Sequence, residues 1–134
     1  MPRVPRPDES KATIDWESEI VSELRSADMY DEMVGMASEE FENHIKDLRK
    51  MQKQLSSEWG SWPPWQVAHS IKGVCLNLSF SRLAGYAQSV EKLKETIEVD
   101  DLEQIISDME LLFAAALEEA KSKGISASAT DINT

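Results

Sequence analysis

His44 and His69 are the two histidines of this 134-residue chain, and one of them has neighbours that suit chemistry. His69 is followed by Lys72 and Gly73, and on a helix residues three and four apart share a face. An imidazole with an ordinary pKa near 6.5 is mostly neutral at about pH 7.5, so an exposed ring nitrogen can attack an aspartyl phosphate. A lysine beside it can stabilise the incoming phosphoryl group and the phosphohistidine product. Gly73 removes a side chain from that face and lets a partner come close. A glycine in mid-helix costs about 1 kcal/mol against alanine, so its presence asks for a reason. The plain alternative is a wet helix surface carrying an unremarkable His and Lys. His44 lies beside Phe41, Ile45 and Leu48, which puts it at the edge of a core or on the surface.

Other chemistries lack their motifs. There is no glycine-rich phosphate loop, so an ATP site is not indicated. There is no HExxH, no Cys/His cluster with zinc spacing and no ExxH of the kind that holds di-iron in helical bundles. No metal ligands are therefore assigned. The single cysteine, Cys75, excludes an intramolecular disulfide and fits a reducing interior.

His69 must be held by a helix, and the pattern supplies one. At 100° per residue, Trp65, Ala68, Ile71, Cys75 and Leu78 fall on one arc, and His69 and Gly73 lie well off it. This helix starts near the SWPP segment, with Ser61 as a cap and Pro63 and Pro64 in its first turn, and runs to about Leu78. A first, short helix is expected from about Trp16 to Ser26 on a Trp16–Ile20–Leu24 stripe. A long second helix follows on Met29, Met33, Met36, Ala37, Phe41, Ile45, Leu48, Met51 and Leu55. A fourth runs from about Phe80 to Ile97 with Ser79 as its cap. A fifth begins at Asp100, where Asp100 and Glu103 have capping-box spacing, and ends at Gly124. Four amphipathic helices with short links predict an all-α, antiparallel up-down-up-down four-helix bundle, with the short extra N-terminal helix as a lid.

Residues 1–12 hold three of the five prolines and read as a disordered lead; residues 13–125 read as the bundle domain, and 126–134 as a disordered tail. The Met1 start and polar ends read as those of a free-standing protein. A net charge of −11 argues against nucleic acid and against an anionic membrane surface. Acidic helix faces also serve plain solubility. No apolar run approaches the roughly 18 residues that span a bilayer, and the N-terminus lacks a secretory signal. The expected location is cytoplasmic, or nucleocytoplasmic in a eukaryote.

Residues 68 to 93, AHSIKGVCLNLSFSRLAGYAQSVEKL, resemble the signature of histidine-containing phosphotransfer (HPt) domains. The family pattern is an alanine, then H-x-x-K-G, a small residue two beyond the glycine, and an RLA step opening the next helix. Here these are Ala68, His69, Lys72, Gly73, Cys75 and Arg82-Leu83-Ala84. The resemblance implies that His69 is the phosphoacceptor, Lys72 its electrostatic partner and Gly73 the clearance residue. It implies a phosphorelay carrier without its own ATP site, not an enzyme with turnover. The carrier would take phosphate from the receiver domain of a hybrid histidine kinase and give it to the receiver of a response regulator. Cofactors are none, the Mg²⁺ belonging to the receiver, and the chain would be a monomer. Docking is expected on apolar residues around His69: Leu76, which shares its side of the helix, with Ile20 and Met33. Two positions depart from the pattern. Ser79 stands where the family often has glycine, and Cys75 where serine or alanine is usual. The alternatives are a non-catalytic helical adaptor that docks receivers without passing phosphate, and a structural bundle of unrelated descent.

Overall fold

The computed structural model describes residues 4–125, and among them every regular element is helical. The helices are α1 (Glu19–Ser26), α2 (Tyr30–Met51), α3 (Pro64–Leu76), α4 (Ser81–Glu91) and α5 (Leu102–Ser122). Short 3₁₀ turns at Ser56–Glu58, Lys94–Thr96 and Val99–Asp101 punctuate the links. No helix of the described residues is long and apolar enough to cross a membrane.

Each helix buries one stripe because none can shield its apolar face alone. α2 turns Tyr30, Val34, Ala37, Phe41, Ile45, Leu48 and Met51 inward, α3 Val67, Ala68, Ile71 and Cys75, and α5 Leu102, Ile105, Ile106, Met109, Phe113, Ala116 and Ala120. α2 packs on α3, α3 most extensively on α4, α4 on α5, and α5 back on α2, while α1 rests on α2. At the centre the rings of Phe41 and Phe113 stack at 4.2 Å, and Phe80 meets Phe113 edge-on at 5.8 Å. The Tyr30 hydroxyl donates to the Leu78 carbonyl at 2.9 Å, tying the start of α2 to the end of α3.

Several element ends differ from the sequence reading, and the causes are local. α1 starts at Glu19 because Ser18 caps it, its Oγ accepting from the Val21 N–H at 3.2 Å. That phase buries Val21 and leaves Ile20 exposed, while Trp16 and Leu24 of the expected stripe pack part-buried against the core. Trp16 sits outside the helix, its ring 5.8 Å from that of Tyr30. α2 ends at Met51, which leaves Leu55 in the following link and exposed; Met29 and Met36 also face solvent. Pro63, in extended conformation, is the N-cap of α3 with Pro64 as its first residue, and Ser61 stands outside. The capping box before α5 pairs Glu98 with Asp101, not Asp100 with Glu103. α4 ends at Glu91, well before Ile97.

Ser79 does not cap α4. It has φ +56, donates its N–H to Leu76 O while Phe80 N–H reaches Cys75 O, and so terminates α3 in a left-handed turn. Glycine suits that conformation best, and Ser79 Oγ is held there by a 2.6 Å hydrogen bond shared with Ser18 Oγ. Gly124 closes α5 with the same bonding pattern at φ +82, as its position in the sequence suggests.

The lead segment also carries structure from residue 4 onward. Arg82 N–H donates to Ala12 O, Arg82 Nε to Lys11 O and Arg82 Nη2 to Glu9 O, while Val4 packs against the core. A disordered reading rested on composition, and one arginine on α4 satisfying three backbone carbonyls is not visible there. Residues 1–3 and the tail 126–134 lie outside the described residues.

Candidate functional site

α3 carries the predicted trio on the side away from its buried stripe. Val67, Ala68, Ile71 and Cys75 are enclosed, whereas His69 and Gly73 are exposed. The His69 side chain is 57% accessible and that of Lys72 23%. Lys72 therefore runs its stem along the protein and presents its ammonium at the edge of the patch. A Cβ added at Gly73 would meet no atom of the protein within 4 Å. The glycine is thus not required by packing inside the chain. Gly73→Ala should stabilise the fold by up to about 1 kcal/mol in urea unfolding, since alanine is the better helix former. The same methyl should slow docking of any partner that closes on His69. A loss of stability would mean that the face is covered.

The residue that organises the site was not among those singled out from the sequence. Glu91, the last residue of α4, places Oε2 2.9 Å from His69 Nδ1 and accepts from Lys72 Nζ on Oε1 at 2.8 Å. The hydrogen bond from Lys72 holds the Glu91 carboxyl below its ordinary range, against the opposing effect of burial, and the bond to His69 lowers it further. An ionised carboxylate only accepts hydrogen bonds. In its neutral form the His69 ring therefore donates Nδ1–H to this carboxylate and keeps the lone pair on Nε2. One carboxylate thus selects the tautomer, fixes the ring plane and parks the lysine beside it.

A signal for Glu91 existed in the sequence. It lies 22 residues after His69, and the link between α3 and α4 falls about midway between them. A tight reversal there brings the end of α4 beside the middle of α3. Reading that requires the turn geometry at Ser79, which sequence reasoning assigned differently.

The predicted docking residues are placed as follows. Leu76 is 51% exposed on the His69 side of α3. Met33 lies half-buried in a shallow groove with Met36, Val74 and Leu78, between α2 and α3. Ile20 is exposed on α1 and does not line that groove. Met36, nearly half exposed, joins the apolar surface and was read from the sequence as core.

Two other reactive side chains are accounted for by burial. Cys75 is enclosed, and burial pushes its thiol up to about 12, which leaves it an inert apolar filler. His44 is half-buried with Nδ1 enclosed and unbonded, its ring 6.3 Å from that of Trp62. Burial lowers its pKa, so it stays neutral at the core edge. Among the described residues no three His, Cys, Asp or Glu side chains are grouped so as to hold a metal ion.

Comparison with protein-family models, curated proteins and solved structures finds no match to this chain.

Proposed function

We propose that the chain is a histidine phosphotransfer protein, which relays a phosphoryl group through His69 between the aspartates of two receiver domains. The observation that carries the reading is the exposed imidazole whose Nδ1 is bonded to an ionised Glu91, leaving Nε2 as the free nucleophile. The finer architecture belongs to the same reading: α2 to α5 as an antiparallel up-down-up-down four-helix bundle with α1 as a lid. The protein works as a monomer in the cytoplasm, or also in the nucleus of a eukaryotic cell. It is a carrier without its own ATP site, and the Mg²⁺ comes with the receiver.

In the forward step the Nε2 lone pair attacks the phosphorus of the partner's aspartyl phosphate. The P–N bond forms as the P–O bond to the carboxylate breaks, and the aspartate leaves with that electron pair. His69 keeps its Nδ1 proton, so the ring becomes cationic as Nε2 is bonded. Glu91 offsets that charge directly. Lys72 is poised to turn from Glu91 Oε1 to the phosphoryl oxygens. The reverse step, onto a second receiver, uses the same groups.

The chain is tested by incubation with receiver domains of the source organism, each phosphorylated on its aspartate. Acid-labile label mapped to the His69 peptide supports the reading. Tight binding without label from any receiver overturns it in favour of an adaptor. A second expectation concerns docking. Leu76→Asp places a charge in an exposed apolar position, so it should weaken receiver binding about tenfold, or about 1.4 kcal/mol, and shift the melting temperature little. An unchanged Kd would remove Leu76 from the interface.

A further inference from the structure

The link between α2 and α3 and the first turn of α3 carry three closely spaced tryptophans. Trp59, Trp62 and Trp65 lie within seven consecutive residues and supply three of the four tryptophans of the chain. Trp62 turns towards α2, where its Nε1 donates to Asp47 at 3.0 Å. Trp59 and Trp65, both half-buried, line a separate cleft of about 430 Å³ with Gly60, Gln66, Lys94 and Glu95. Its walls are fixed. Trp59 Nε1 donates to Met51 O at 3.2 Å. Lys94 takes the left-handed conformation at φ +50 and holds its ammonium 4.5 Å from the centre of the Trp65 ring. A non-glycine residue at positive φ costs about 1 kcal/mol or more and persists where surrounding structure enforces it.

The position of the cleft gives it a role. Trp65 stands one turn before His69 on α3, and Lys94 follows Glu91 closely in the chain. Aromatic pockets beside a cation are common anchors of protein interfaces, since large rings bury much surface at small entropic cost. The chain has a net charge of −11, yet the exposed Lys94 sets a cation over the Trp65 ring at the wall of this cleft, at the end of α3 that carries His69. A partner that presents an aspartyl phosphate, with carboxylates around its metal, is anionic there.

We infer that this cleft is a partner-selectivity pocket, taking an apolar side chain flanked by a carboxylate from a loop of the receiver domain that exchanges phosphate with His69. The inference rests on the proposed phosphotransfer. The apolar side chain would lie against Trp59 and Trp65, with its neighbouring carboxylate on Lys94 and away from Glu95.

The test uses the full chain and the receiver domain that labels it fastest, phosphorylated with acetyl phosphate and Mg²⁺. Lys94→Glu should raise the Kd for that receiver about tenfold, and Lys94→Arg should restore binding, because it keeps the cation over the ring. Trp65→Leu should weaken binding by a similar factor, provided its circular dichroism matches wild type. Leu111→Ser, an exposed change on α5, is the control. If wild type is labelled but Lys94→Glu binds within twofold of it, the pocket is refuted and the phosphotransfer stands. If no receiver labels wild type, the phosphotransfer falls and the pocket falls with it.

Discussion

On the proposed function, His69→Gln will take up no acid-labile phosphate from a phosphorylated receiver, a loss of at least ~10⁴-fold, the size of effect seen when a covalent nucleophile is removed. Glutamine is the informative replacement. Its amide N–H can still donate to Glu91, so the carboxylate and Lys72 keep a partner and the helix keeps its length. What it lacks is a nitrogen lone pair able to attack phosphorus. His69 is exposed, so the melting temperature should stay within a degree or two of wild type, surface changes costing roughly 0.5 kcal/mol or less. Receiver binding should also survive, which separates recognition from chemistry. Equal labelling of the variant and wild type would sink the assignment of His69.

Glu91→Ala should slow single-turnover phosphotransfer about 10²-fold, the size of effect that follows when a reacting group is misoriented by an ångström or so. Alanine frees the imidazole to rotate and to carry its proton on either nitrogen. It also leaves the partly buried Lys72 ammonium without its carboxylate. Glu91→Gln keeps an oxygen that can accept from one neighbour but removes the charge that offsets the cationic ring. Its loss should be smaller, about tenfold, and the gap between the two variants measures orientation apart from charge. A wild-type rate in Glu91→Ala would show that the contact to His69 is incidental.

The same carboxylate makes a pH prediction whose sign is fixed. The Glu91 carboxyl is held below its ordinary 4.5 in the folded protein, first by the Lys72 hydrogen bond and then by that of His69. A depressed folded pKa contributes stability that is fully present above the unfolded value and is lost as pH falls through the folded one. The stability difference between wild type and Glu91→Gln, read from urea unfolding, should be constant at neutral pH. It should vanish in acid below the depressed value. A difference that persists there would assign the stabilisation to packing instead.

The helix that carries His69 was legible in the sequence because its signal is local. A period near 3.6 residues separates Ala68, Ile71 and Cys75 from His69 and Gly73, and the structure buries the first set and exposes the second. The long helices were legible for the same reason, as were the glycine end of α5 and the absence of strands among the described residues. Boundaries were less so. Ser18, Ser61, Ser79 and Asp100 are all plausible caps by type, and only Ser18, which the sequence reading passed over, caps a helix. A cap is decided by the direction in which the chain enters the helix, and that direction is set by what the neighbouring segment packs on.

The sequence alone therefore determined which histidine would stand on a helix outside the buried stripe, beside a lysine and a glycine. The tertiary structure decided what that histidine bonds to. Glu91 reaches His69 and Lys72 because α3 ends in the left-handed turn at Ser79 and α4 returns beside it. The lead segment rests on α4 because Arg82 collects its carbonyls. Trp59 and Lys94, from two links far apart in the chain, line one cleft. Such contacts depend on the register between helices, to which many residues contribute a little and no short motif contributes enough to read.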